Sequence, residues 1–243
     1  MEAILLAAGQ GKRFQGQLAD LPKVLIEVGG EALLDRHLRA FDAAGVGRAT
    51  VVVGFAAERI RERVRAIGRA AQVSFVENPR FREGSLYSLF CARERLRSGD
   101  ACLLMDADVL YAPEMLARLA DAPHPCSVLF DADFLDEEMK IGLRGGTARA
   151  LGKKLTADGF DALGRGPGFY RIGPEAGLAL ARILEDMVAD GQERLEYEDA
   201  LNVLFPTHPF HPVPVGGLPW TEIDHAADLE KARTVIWPRL QSR

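Results

Sequence analysis

Two short segments of this 243-residue chain carry the residue types that chemistry on a phosphate would need. The first is Ala3-Ile4-Leu5-Leu6-Ala7-Ala8-Gly9-Gln10-Gly11-Lys12-Arg13-Phe14, followed after a gap by Leu21-Pro22-Lys23. Its apolar start predicts a strand, and its small residues let bare backbone amides approach a ligand. Lys12, Arg13 and Lys23 add positive charge for phosphate oxygens. The second is Asp106-Ala107-Asp108, directly behind the apolar run Ala101-Cys102-Leu103-Leu104-Met105. A hard cation such as Mg²⁺ takes few protein carboxylates and leaves its other positions to phosphates and water. Asp108 and one further Asp would suffice. Asp224, in Trp220-Thr221-Glu222-Ile223-Asp224, is the second candidate, because strand alternation turns Ile223 away from Glu222 and Asp224. An Asp that ends a strand serves equally well as a helix N-cap, so the residues alone leave both roles open for Asp108.

Spacing excludes two familiar phosphate loops. A dinucleotide fingerprint needs Gly-x-Gly-x-x-Gly; Gly9 and Gly11 fit, but Phe14 stands where the third glycine allows close helix–strand packing. A P-loop needs a glycine five positions before its Gly-Lys pair and a Ser or Thr behind it, and Leu6 and Arg13 occupy those places. No local motif supports Cys–His or Ser–His catalysis. His208-x-x-His211 lacks the context of a zinc site, and His37 falls within a predicted helix.

The elements that must position these residues alternate regularly in the first half. Leu34, Leu38 and Phe41 recur at helical spacing before Gly45, Thr50-Val51-Val52-Val53 reads as a buried strand, and Ile60, Val64 and Ile67 form a second apolar helix stripe. Val24 to Val28 is a short apolar run ended by Gly29-Gly30, Gln72 to Val76 and Ala101 to Met105 read as strands, and Pro113 opens another helix. Strands separated by single helices predict an α/β fold with a mainly parallel sheet. Ligands of such sheets sit beyond the carboxyl ends of the strands, which is where the loop and the Asp pair fall. Later, Cys126 to Phe130 and Gly168 to Ile172 read as strands and Ala176 to Ala189 as a helix. Gly142 to Gly166, rich in glycine and basic residues, reads as a β-ribbon or flap. Ser85 reads as the cap of a helix that begins with Leu86.

Composition fits one domain over residues 1–243: 48% hydrophobic and 27% charged. A formal net charge of −5 argues against a nucleic-acid footprint. No apolar run approaches the roughly 18 residues of a membrane span, and the start lacks the pattern of a signal peptide. Three unclustered cysteines, Cys91, Cys102 and Cys126, fit core thiols in a reducing cytosol, so a cytoplasmic location is expected.

Leu-Ala-Ala-Gly-x-Gly-x-Arg-Phe followed by Pro-Lys resembles the signature of the nucleotidyltransferases of the sugar-phosphate and MobA-like type. The resemblance implies a three-layer αβα sandwich with a mainly parallel, Rossmann-like mixed sheet, as in nucleotide-diphospho-sugar transferases. It implies that Ala7, Ala8 and Gly9 hold the base, that Arg13 grips the triphosphate, and that Lys23 contacts the α-phosphate. Asp108 and Asp224 would hold a catalytic Mg²⁺, with Asp106 beside them. The segment Glu77 to Leu89 is similar to an element of the bacterial cytidylyltransferases for phosphocholine and 2-aminoethylphosphonate, although Phe81 and Gly84 depart from it. Asp136 to Lys140, Tyr197 to Asn202 and Trp220 to Leu229 resemble the same enzymes.

These readings predict catalytic Lys23 and Arg13, and a nucleotide site of Leu6, Ala7, Ala8, Gly9, Gly11, Lys12, Arg13, Lys23, Gly84, Ser85 and Asp106. They place the NTP in residues 1–125 and the acceptor in 126–243. A cationic acceptor head is best held by aromatic faces and carboxylates, which predicts Asp131, Asp133, Tyr197, Glu198, Trp220 and Glu222 around it, with Lys140 and Lys153 or Lys154 toward its phosphate. The expected reaction is a Mg²⁺-dependent cytidylyl transfer from CTP to a small amino-headed phosphate or phosphonate, releasing pyrophosphate. An acceptor phosphate whose second pKa is near 6 is already largely an anion, so no general base is required. Two alternatives stand beside this: transfer to a sugar or polyol phosphate, and a catalytically silent nucleotide-binding subunit. The sequence leaves a homodimer open.

Overall fold

The computed structural model describes residues 1–11, 20–133 and 139–242. Its centre is a seven-stranded sheet of β1 (Glu2–Ala7), β2 (Arg48–Val53), β3 (Val73–Glu77), β4 (Cys102–Asp106), β5 (Ser127–Phe130), β6 (Phe169–Ile172) and β7 (His211–Pro214). The spatial order is β7-β5-β6-β4-β1-β2-β3. The strands pair in parallel except β6, which runs antiparallel to both β4 and β5.

Alternation along β1 splits the core into two layers. Ala3, Leu5 and Ala7 face α1 (Leu33–Ala43), α2 (Ala57–Ala66) and, further along the sheet, the helix Pro113–Ala120. Ile4 faces the other way, toward α3 (Ser85–Cys91), the long helix Pro174–Ala189 and the helix Tyr197–Leu204. Helices on both faces of a mainly parallel sheet make the three-layer αβα sandwich. A third cluster, Ile26, Val28, Leu33, Leu110, Ile223, Leu229 and Ile236, seats the C-terminal helices against the short hairpin of Glu27–Val28 and Glu31–Ala32. Among the described residues no helix is long and apolar enough to cross a membrane.

Two local readings are refined and a third changes. The Val24 to Val28 run is a 3₁₀ turn followed by a two-residue strand, because Gly29 and Gly30, both at positive φ, reverse the chain at once. The Gly142 to Gly166 region is a ribbon of Lys140–Arg144, Thr147–Gly152 and Ala162–Arg165, with Lys140–Arg144 in the middle. The N-cap of α3 is Gly84, not Ser85; Ser85 is its first helical residue.

Candidate active site

The carboxyl ends of β1 and β4 lie side by side, with Leu6 opposite Asp106. Because β6 runs the other way, its start, Gly166-Pro167-Gly168, reaches the same edge. A cavity of about 890 Å³ opens there. It is lined by Leu6, Ala7, Ala8, Gly9, Gly11, Lys23, Gly84, Ser85, Asp106, Asp108, Tyr197, Glu198, Trp220, Glu222 and Asp224. The structure thus gathers at one cavity most of the residues read from sequence as nucleotide, metal or acceptor groups. Lys12 and Arg13 lie outside the described residues, as do Asp136, Glu137 and Glu138. A shallower concavity of about 590 Å³ at the ribbon's turns gathers Arg144, Arg149, Asp158 and Phe160 and none of these groups.

The Asp106-Ala107-Asp108 segment is fixed by three elements. The Asp106 amide donates to the Gly168 carbonyl at 3.3 Å, and the Ile223 amide donates to the Asp108 carbonyl at 2.8 Å. A ring nitrogen of His37 lies 3.1 Å from the Ala107 carbonyl. The Ile223 bond brings the end of the Trp220–Glu222 strand alongside Asp108, so that carboxylate oxygens of Asp108, Glu222 and Asp224 all lie within 4.8 Å of one another. Asp224 is aimed by its own loop: the Asp228 carboxylate accepts the amides of Asp224 at 3.0 Å and His225 at 2.7 Å. An all-oxygen cluster of this kind suits a hard divalent cation. Glu222, read from sequence as an acceptor group, therefore stands with the two metal candidates.

Lys23 sits at the same carboxylates. Its ammonium donates to Asp108 at 2.7 Å and also to Asp224, with the lysine side chain 17% exposed. Burial alone would lower its pKa, but Asp108 and Asp224 outweigh that and hold it above the usual lysine range. Gly11, at φ +60°, lets the loop close over this lysine, since a Cβ there would stand 3.0 Å from the Lys23 Cγ.

Acids crowd this centre, with Asp106 and Glu198 half-buried and Glu222 more exposed at the cavity wall. Asp106 is pushed well above the carboxylate range by burial and then by Glu198, Asp108 and Glu222, although it accepts a 2.8 Å hydrogen bond from the Tyr197 hydroxyl. Partial burial raises Glu198 to about 7, and lost hydration at the cavity wall, reinforced by Asp108 and Asp224, raises Glu222 to about 8. Gly168 permits this packing: at φ +70°, a Cβ there would lie 1.9 Å from an Asp106 oxygen.

These shifts carry a sign. Between about 4.5 and about 8 the folded state holds protons on Glu198 and Glu222 that the unfolded chain releases, so stability falls as pH rises across that window. Thermal unfolding of the metal-free protein is expected to give a lower Tm near pH 8.5 than near pH 6. Added Mg²⁺ should raise Tm more at the higher pH, where Glu222 is free of its proton. Equal Tm values with equal Mg²⁺ responses would contradict this.

Other placements differ from expectation. Gly84 and Ser85, read as nucleotide-site residues, are largely engaged with residues 194–197. A Cβ on Gly84 would stand 2.0 Å from the Leu195 carbonyl oxygen. The Ser85 amide and hydroxyl both donate to Glu196, and the hydroxyl accepts from the Tyr197 amide. Trp220 is 6% exposed, donates Nε1–H to Asp131 at 2.8 Å and carries the Arg165 guanidinium over its ring at 4.3 Å. Asp131 thus serves the wall behind the cavity. Asp133 is exposed and does not line it. Lys140 does not line it either: at the start of the ribbon it is buried, with its ammonium toward the Leu155 carbonyl at 3.3 Å. Lys153 lines the cavity and Lys154 does not. Arg165, Gly168, Glu196 and Asp228 had not been read as site residues. The Gly166-Pro167-Gly168 spacing was a turn signal that marked Gly168, whereas Arg165 had no local signal.

A family model described as the MobA-like NTP transferase domain matches residues 3–156. The chain belongs to that family. This MobA-like chain is 30% identical over 241 residues to a bifunctional IPC transferase and DIPP synthase of Rubrobacter xylanophilus, covering 96% of the chain and 51% of that protein. It spans about half the length of such bifunctional relatives. It is 28% identical over 242 residues to the 2-aminoethylphosphonate cytidylyltransferase of Lancefieldella rimae, covering 93% and 89% of the two chains. In fold it matches the inositol-1-phosphate CTP transferase from T. maritima with a TM-score of 0.78 at 21% identity, over 99% of this chain and 94% of the other.

Proposed function

We propose that this MobA-like chain is a Mg²⁺-dependent cytidylyltransferase that joins CTP to a small amino-headed phosphate or phosphonate. The observation that carries the reading is the pairing of Lys23 with Asp108 and Asp224 at the mouth of β1 and β4, beside a wall of acids. The nucleotide would enter over Leu6 to Gly11, from the half before residue 126, and the acceptor from the half that follows. An acceptor oxygen attacks the α-phosphorus of CTP, the bond from that phosphorus to the bridging oxygen breaks, and pyrophosphate leaves with the electron pair. Such transfers depend on positioning and charge neutralisation rather than covalent help.

Asp108 and Asp224, with Glu222, would hold Mg²⁺, which when bound neutralises charge on the phosphate oxygens. Lys23 supplies the cationic charge of the chain itself at the α-phosphate. Ala7, Ala8 and Gly9 give the base an uncrowded backbone edge, and Asp106 is kept in place by Tyr197 and Gly168. Glu198, drawn toward its neutral form by burial, becomes more favourably ionised when an ammonium head lies beside it. That preference supports an amino-headed acceptor.

The similarity to an IPC transferase and to an inositol-1-phosphate CTP transferase favours a second reading, in which the acceptor is a polyol phosphate. Pyrophosphate release decides between them when each NTP is paired with 2-aminoethylphosphonate, phosphocholine, phosphoethanolamine, inositol 1-phosphate and hexose 1-phosphates. Turnover with CTP and an amino-headed acceptor is expected. Turnover with a polyol or sugar phosphate alone would replace the first reading with the second, and none with any pair would favour a silent nucleotide-binding subunit.

A further inference from the structure

His37 lies on α1, on the opposite side of the sheet from Tyr197 and Glu198, and takes no part in the transfer described above. Its side chain is nevertheless wholly buried and runs under the carboxylate loop. One ring nitrogen, Nε2, is 3.1 Å from the Ala107 carbonyl, and the other, Nδ1, is 3.2 Å from the Tyr111 hydroxyl. A carbonyl oxygen can only accept, so Nε2 carries the hydrogen and Nδ1 accepts from Tyr111. Phe169 and Tyr111 meet edge to face with ring centroids 4.8 Å apart, and both flank the imidazole. Burial depresses the imidazole pKa to about 4, so the ring is neutral under ordinary conditions and this tautomer persists.

Ala107 separates Asp106 from Asp108, and its carbonyl faces the helical layer rather than the cavity. A peptide rotated about this residue would carry both carboxylates out of place. The bonds to Gly168 and Ile223 hold the residues on either side, and His37 holds the middle one.

We infer that His37 is a positioning residue that fixes the Asp106-Ala107-Asp108 loop, and so sets the site's affinity for a divalent cation. The second half of this statement rests on the metal reading above; the first does not. Partners that orient metal-binding groups are commonly worth about 10–100-fold in affinity.

The test combines amide hydrogen exchange across residues 105–110 with Mn²⁺ titration of the metal-free protein, so neither readout depends on turnover. His37→Leu leaves the Ala107 carbonyl without its donor. It should speed exchange in 105–110, leave 127–130 unchanged, and weaken Mn²⁺ binding about tenfold or more. His37→Gln places an amide nitrogen near the position of Nε2 and should restore most of both. Unchanged exchange in 105–110 for a folded His37→Leu protein would overturn the assignment, as would equal losses for Leu and Gln. If His37→Leu does not fold, Tyr111→Phe removes only the hydroxyl that holds the ring. Faster exchange in 105–110 then supports the role, and no change overturns it. Failure of the wild type to bind Mn²⁺ would remove the metal reading and the affinity half of the inference, while exchange still decides what His37 does to the loop.

Discussion

Asp108→Asn should lower kcat on the order of 10³-fold and weaken Mn²⁺ binding, with little loss of thermal stability. A fall of that size corresponds to about 4 kcal/mol of transition-state stabilisation, the upper end of what a single charge-stabilising group contributes. Asp108 stands at the centre of the site: it shares a cluster with Glu222 and Asp224 and accepts from Lys23. The backbone bond from Ile223 to the Asp108 carbonyl does not depend on the side chain, so the loop should keep its path in the variant. Circular dichroism and a melting curve check the fold, and steady-state kinetics with Mn²⁺ titration check the rest. Near-normal turnover would remove Asp108 from the mechanism.

The second large effect is expected from Lys23→Met, which keeps much of the side-chain volume and removes the charge. Turnover should fall about 10²- to 10³-fold, mainly in kcat, with a smaller change in acceptor KM. What separates this variant from Asp108→Asn is the metal. Lys23 occupies the same two carboxylates that a cation would use, so its loss should leave Mn²⁺ binding as tight as in the wild type or tighter. The variant also leaves Asp108, Glu222 and Asp224 without that ammonium, so it should be less stable without metal and regain stability as Mg²⁺ is added. A loss confined to KM, or a parallel loss of Mn²⁺ affinity, would contradict the assigned role.

The contrast between these variants shows what a sequence can reveal about such a site. The glycine-rich segment, Asp106-Ala107-Asp108 and Trp220 to Asp224 were legible because each is a short pattern whose chemistry follows from neighbours in the chain. Strand–helix alternation placed the first two segments at one sheet edge. The antiparallel direction of β6 was not legible, since a strand's residue pattern is the same either way. It matters here because it delivers Gly168 to Asp106.

The supporting residues were hidden for a related reason. His37 has the burial pattern of any core residue on an amphipathic helix, and only the fold brings the Ala107 carbonyl to it. Glu196 joins Ser85 across 111 residues, a contact that no local rule predicts. Gly84 was expected at the nucleotide, and the group that closes on it is the chain's own Leu195 carbonyl. Trp220 shows the limit from the other side. An exposed aromatic wall for a cation was a fair expectation from its acidic neighbours, yet most of the ring is already taken up by Asp131 and Arg165. The amino-headed acceptor therefore rests more on Glu198 and its neighbouring acids than on aromatic contact.

The most direct test of the central claim follows one phosphorus atom. CTP labelled at the α-phosphate is incubated with the protein, Mg²⁺ and 2-aminoethylphosphonate or phosphocholine, and the products are separated. The label is expected in a new CMP–acceptor compound, with unlabelled pyrophosphate released in equal amount. Label remaining in CTP, or recovered only as CMP, for every acceptor tried would contradict nucleotidyl transfer by this chain.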